Sequence, residues 1–111
     1  MDDMATKVTI FLDEDDRHHH RGLHEAVLQR AKDSGIIGAT VLRGIEGFGA
    51  SGRVRTSRFP DADTGLPLIV ELIDRPERIE KFLATLADLT PGSLVTTESV
   101  HIVRTGARSA N

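Results

Sequence analysis

Two stretches of helical periodicity, each set between short runs of β-branched and aliphatic residues, constrain this chain more than any single motif does. Lys7–Leu12 (KVTIFL) is short and nearly continuous in hydrophobicity, which reads as a strand inside a sheet. Leu23–Ser34 reads as a helix: Leu23, Ala26, Val27, Leu28 and Ala31 lie near one face, and Gly35 stops it as a left-handed cap would. Ala39–Ile45 and Leu66–Ile73 are the second and third strands. Pro67 stands at the start of the latter, where a missing amide proton is tolerated. Arg75–Leu89 carries Ile79, Phe82, Leu83, Leu86 and Leu89 at helical spacing, with Asp74 as the expected N-cap and Pro76 in the first turn. Pro91-Gly92 ends this helix. Leu94–Thr97 and Val100–Val103 form a last strand or a bulged pair, and Gly106–Asn111 reads as a tail.

The order β-α-β-β-α-β is that of the ferredoxin-like α+β sandwich, a four-stranded antiparallel sheet with both helices on one face. A chain of 111 residues holds one such domain, its core about residues 6–104. Aromatic residues make up only 4%, all of them Phe, so the core is aliphatic and small. A small core and a sheet face left bare by the helices together predict burial against sister subunits.

Charge narrows the function. Lys plus Arg number 14 against 17 Asp plus Glu, which excludes a general nucleic-acid-coating protein. The absence of Cys removes disulfides, zinc–thiolate sites and thiol nucleophiles. Met1–Lys7 has no apolar core, so no signal peptide is expected, and a cytoplasmic location follows as an expectation.

Gly47-Phe48-Gly49-Ala50-Ser51-Gly52 matches G-x-G-x-x-G. A dinucleotide-binding fingerprint must open a helix, whereas Arg53-Val54-Arg55-Thr56 reads as strand or loop. A kinase loop needs downstream motifs that this chain does not hold. Two readings remain: a hairpin whose glycines supply positive φ, or a cradle of backbone amides for an anion. The charge pattern bears on the second. Between Arg43 and Arg58 stand four arginines (43, 53, 55 and 58) and one glutamate, a basic segment on an acidic chain. Arginine without lysine favours bidentate contacts to phosphate or carboxylate. Arg53–Gly65 is polar, with a turn signal at Pro60-Asp61-Ala62-Asp63.

The strand Ala39–Ile45 followed by Glu46-Gly47-Phe48-Gly49 resembles the start of the mobile loop of PII signal-transduction proteins. A family of small bacterial and archaeal PII-like proteins is more similar still. Its pattern is matched by Glu14-Asp15-Asp16-Arg17, Leu23-His24-Glu25-Ala26, Gly38–Gly52 and Leu68-Ile69-Val70-Glu71. The resemblance implies a homotrimer with clefts between subunits that hold an adenine nucleotide or another small anionic ligand, and no enzymatic activity. By analogy it implies a membrane transporter or an enzyme as the regulated partner. Gly47, Phe48, Gly49 and Gly52 would lie at the cleft, and Arg43, Arg53, Arg55 and Arg58 would neutralise charge. The loop from Phe48 to Gly65 would move. PII proteins grip phosphates with a second basic loop, but here Leu89-Thr90-Pro91-Gly92-Ser93 has no Lys or Arg, which favours a smaller adenine nucleotide over ATP. The chain has no Tyr for modification of that loop.

The alternative is a small metal-dependent enzyme or a metal-binding protein that uses the acidic and histidine cluster from Asp13 to His24. Asp13, Glu14, Asp15 and Asp16 precede the run His18-His19-His20, with His24 nearby. Carboxylates and imidazoles bind divalent ions, but this spacing matches no known ligand motif, and a charged turn leading into the helix explains it as well. No Ser, His and Asp fall in an order that makes a nucleophile.

Overall fold

The computed structural model describes residues 3–58 and 65–106. Four long strands, β1 (Met4–Asp13), β2 (Gly38–Arg43), β3 (Pro67–Asp74) and β4 (Leu94–His101), form one sheet in the order β2-β3-β1-β4. Every neighbouring pair is antiparallel. Helix α1 (Leu23–Asp33) links β1 to β2, and α2 (Pro76–Ala84) precedes β4. This is the ferredoxin-like α+β arrangement.

Residue alternation divides the sheet into an inner and an outer face. Val8, Ile10 and Leu12 of β1 lie in register with Leu72, Val70 and Leu68 of β3 and face the helices. Leu23, Val27 and Ala31 of α1 and Ile79 and Phe82 of α2 close over them. Leu28 does not join this core; it is exposed, because the buried stripe of α1 is narrower than its composition allows. Truncating a core aliphatic such as Ile10 or Leu72 to Ala costs about 2–5 kcal/mol in sites of this kind. Among the described residues no helix is long and apolar enough to cross a membrane.

Several boundaries depart from those expected, each for a local reason. β2 ends at Arg43 rather than Ile45. Gly44 still donates its N–H to the Pro67 carbonyl (2.8 Å), but proline has no N–H to return, so the ladder stops. The helical ladder of α2 ends at Ala84, not Leu89. Leu86 then donates to the Leu83 carbonyl and Leu89 to the Leu86 carbonyl, tighter three-residue turns that still bury Leu86 and Leu89. Arg75, not Asp74, stands at the α2 N-cap. The buried Asp74 carboxylate instead accepts from the Arg75 amide (2.6 Å) and from the Ile37 amide (3.1 Å), tying the turn after α1 to the start of α2. β4 is one unbroken strand, in register with β1 from Leu94–Phe11 to His101–Met4. Gly35 takes φ +75°, the left-handed cap expected of it. The expected turn at Pro60–Asp63 and the tail beyond Gly106 lie outside the described residues.

The charged segment after β1 is more ordered than a loop. Arg17–His18 pairs with Arg21–Gly22 in a small antiparallel ribbon, closed by His19 (φ 49°) and His20 (φ 69°). Two-residue hairpin turns with both φ values positive favour Asn-Gly, because a Cβ is strained there. Replacing His20→Gly is expected to raise stability by about 0.5–1 kcal/mol, seen as a higher Tm in a thermal melt. An unchanged or lower Tm would show that the imidazole makes a compensating contact.

Candidate functional site

The chain beyond the end of β1 is an acidic turn to which two distant segments are fastened. Asp13 N–H donates to the Asp16 carboxylate (2.9 Å), and Asp16 N–H to the Asp13 carbonyl (3.0 Å), which curls the four acidic residues tightly. Glu14 N–H donates to the Leu66 carbonyl (2.8 Å), and the Glu14 carboxylate accepts from the Leu66 amide (3.1 Å). The same carboxylate pairs with Arg43. Gly65 fits here because a Cβ would lie 2.8 Å from the Asp15 nitrogen.

The glycine-rich segment is a second ribbon. Glu46–Gly47 pairs with Arg55–Thr56, and Ser57 N–H returns to the Ile45 carbonyl (2.9 Å). The turn between them carries its positive φ at Gly52 (+74°), with Gly52 N–H donating to the Gly49 carbonyl (2.9 Å). Of the three glycines only Gly52 takes a positive φ; Gly47 and Gly49 do not. Gly47 lies over Pro67, and a Cβ at Gly49 would meet nothing within 4 Å.

Arg43, Arg55 and Arg58 are directed at carboxylates. Arg43 meets Glu14. Arg58, exposed, meets Glu46 through Nε (3.0 Å). Arg55 is the unusual one. Only 8% exposed, it donates from its two terminal nitrogens to both oxygens of Asp15 (3.1 and 3.3 Å), and it stands 3.7 Å from the Asp13 carboxylate. Arg53 is exposed, and its backbone N–H donates to Ser51 Oγ (3.2 Å). Phe48 is 67% exposed beside this ribbon.

Between the acidic turn and the ribbon's tip opens a cleft of about 430 Å³, within the ~300–1,000 Å³ common for small-molecule sites. Phe11, Asp13, Asp16, Arg17 and His18 form one wall, Gly49–Ser51 a second, and Asp88–Ser93 the third. The third wall is held by Arg30 of α1, which donates to the Asp88 carboxylate (2.9 Å) and to the Thr85 carbonyl. That hydrogen bond holds the Asp88 carboxyl below the usual carboxylate range. Burial, then the nearby Asp16 carboxylate, pushes Asp13 above it, against the pull of Arg55. A smaller apolar hollow of about 160 Å³ lies alongside, between Phe11, Phe48, Gly49 and Pro67.

The sequence singled out the arginines and glycines but not the partners that receive them. Asp13, Glu14 and Asp15 are the partners of Arg43 and Arg55, signalled only by the run of four acidic residues, and Glu46 is that of Arg58. The third wall carried no motif of its own; only the resemblance pointed to Leu89–Ser93, and nothing pointed to Asp88. Among the described residues the carboxylates of Asp13, Asp15 and Asp16 come within 4.8 Å of one another, and none of the histidines joins them. His20 and His24 share no helix face, since α1 begins at Leu23.

A ferredoxin-like sheet with a glycine-bearing ribbon rising from its second strand is a fold this chain shares with PII-like proteins of solved structure. The chain belongs to the DUF190 family (Uncharacterized ACR, COG1993), whose model matches residues 5–102. It is 35% identical over 94 residues to a UPF0166 protein of Aquifex aeolicus, covering 85% of this chain and 89% of that one. It is 29% identical over 101 residues to the UPF0166 protein MJ1524 of Methanocaldococcus jannaschii, covering 90% and 93%. Its fold matches that of CPII from Thiomonas intermedia K12, solved bound to ADP and bicarbonate, with a TM-score of 0.67 at 15% identity over 94% of this chain and 93% of that one. It likewise matches the PII-like protein TTHA0516 of Thermus thermophilus, with a TM-score of 0.66 at 21% identity over 92% of each chain.

The pKa shift of Asp13 has a testable sign. A carboxyl raised in the folded state adds stability that is full below its ordinary pKa of 3.8 and is lost as pH rises through the higher folded value. Asp13→Asn, which mimics the protonated form, is therefore expected to match or exceed the wild type in Tm at neutral pH, and to lose that advantage as pH falls through this range. Melts from about pH 3 to 8 check it; a large destabilisation at neutral pH would mean that the charge facing Arg55 outweighs its burial.

Proposed function

We propose that this protein is a PII-like trimeric regulator that binds a small adenine nucleotide in clefts between subunits. The ribbon-bearing loop from Phe48 onward then reports occupancy to a partner, with a membrane transporter or an enzyme as the partner class. The observation that carries this reading is the continuity of the cleft with a bare apolar patch on the outer sheet face. Phe11 lines the cleft and stands in register with Ile69 and Leu94, and Leu42 stands opposite Ile69. Leu42 and Leu94 are 46% and 50% exposed. Apolar side chains grouped on a sheet face call for a cover, and a sister subunit seated there would supply the missing side of the cleft.

The lining sets the ligand class. Three carboxylates, those of Asp13, Asp16 and Asp88, face one arginine and one histidine. A triphosphate would bring further negative charge against them, so AMP or ADP suits this cleft better than ATP. The ADP bound by CPII supports an adenine nucleotide. The backbone of Gly49–Ser51 would approach the phosphate, with Arg17 as the cation of the facing wall.

Two measurements test the reading. Sedimentation should return a trimer, and Leu42→Asp, which places a charge on the bare face, should return a monomer with an intact fold. Calorimetry should show saturable binding of AMP or ADP. Gly49→Val should weaken that binding by about tenfold or more, roughly 1.4 kcal/mol, because Gly49 lines the cleft and a Cβ there meets nothing of the protein within 4 Å. A monomeric wild type, or no heat with any adenine nucleotide, overturns the proposal.

A further inference from the structure

We infer that Arg55 is a latch: its buried pairing with Asp13 and Asp15 holds the glycine-rich ribbon against the end of β1, and breaking it releases the ribbon as a unit. The ribbon's other attachments are lighter: Gly47 lies over the Pro67 ring at its base, and Arg53, exposed, acts on the Asp13 carboxylate through its charge. Its own ladder is two residues on each side, a length with marginal stability alone. Ile45 and Val54, which flank it, are 76% and 61% exposed, so they contribute little packing that would anchor it. Arg43 pairs with Glu14 at the foot of the segment, and Arg58 pairs with Glu46 inside the same segment. Arg55 is the buried member of the set, and it reaches the acidic turn across 40 residues of sequence.

The latch is also incompletely satisfied. Among the described residues Arg55 Nε is buried with no acceptor, while the guanidinium reaches Asp13 only at 3.7 Å. A buried donor left unpaired is costly, so the bidentate contact to Asp15 is offset in part by one orphaned N–H. That places it nearer to balance with an open state than a fully bonded arginine would be. The groups facing the guanidinium are the carboxylates of Asp13 and Asp15, with Asp16 behind Asp13. Because Asp13 and Asp16 line one wall of the cleft and Gly49–Ser51 another, the latch sets the distance between those walls. Opening it would widen the cleft and free the loop in one movement.

The inference concerns the loop invoked under the proposed function, but its test needs no ligand, so the two fail separately. Hydrogen exchange followed by mass spectrometry on the full chain reads the amides of residues 46–56 against those of β1 and β3. Arg55→Gln is expected to speed exchange across 46–56 by about tenfold or more and to leave β1 and β3 protected. Asp15→Asn should do the same. The double variant should add little to either, since both remove one contact. Arg58→Gln, an exposed pair, should change exchange by less than about twofold. If Arg55→Gln fails to fold, Arg55→Lys keeps the buried charge but loses the bidentate contact, and intermediate exchange is expected. Unchanged exchange in the ribbon, additive effects in the double variant, or loss of protection throughout the sheet would each overturn the latch.

Discussion

Strand β1 is hydrogen-bonded on both edges, to β3 from Thr6 to Asp13 and to β4 from Met4 to Phe11. Its alternate side chains Val8, Ile10 and Leu12 lie at the centre of the core, and both helices pack above them. This double pairing fixes where the strand ends, and therefore where the acidic turn is presented. Asp13 is still in register with Pro67, so the first carboxylate of the turn is placed by the sheet rather than by the loop. A rigid element carrying a charged turn at its end can hold flexible segments that are far away in sequence. The buried arginine, the Glu14–Leu66 pairing and the cleft wall all hang from that end.

Electrostatics then explain why a chain of net charge −3 carries a cluster of loop arginines without becoming a basic surface. The acidic run and the basic segment face each other across the fold, Arg43 to Glu14 and Arg55 to Asp13 and Asp15. Exposed pairs of this kind contribute little to stability. The buried one behaves differently: an isolated guanidinium at that depth would be expensive, and it is tolerated because a carboxylate meets it with both oxygens. Asp13 shares the site at a cost, since burial and Asp16 both disfavour its charge.

The element order and the core were legible because they rest on periodicity. The strands β1 and β3 and the α2 stripe of Ile79, Phe82, Leu86 and Leu89 could be read directly, while which strand residues face inward follows from the pairing register. The end of α2 could not, because Leu86 and Leu89 keep their helical spacing while the hydrogen bonds tighten into three-residue turns. The His19-His20 turn was hidden for the opposite reason: it uses residues that two-residue turns disfavour. At the candidate site, the glycines and arginines announced themselves by type, but their partnerships did not. Contacts across 29 residues, as for Arg43 and Glu14, or 40, as for Arg55 and Asp15, are set by strand order and leave no local pattern. The positive φ at Gly52 rather than Gly49 is likewise decided by how the ribbon closes, which the repeated glycines leave open.

Phe11 ties these levels together. As an odd-numbered residue of β1 it points to the outer face, opposite Ile69 and Leu94, while the inner residues on either side of it, Ile10 and Leu12, serve the core. It also lines both the larger cleft and the apolar hollow beside Phe48. The alternation of a strand thus gives one side chain to the outer face and the next to the core, and the end of the strand to the cleft. Any surface that covers the bare end of the sheet must contact Phe11, and through it the cleft that Phe11 lines together with Gly49–Ser51. Covering that face and shaping the cleft are therefore a single geometric problem, set by the register of β1 with its two neighbours.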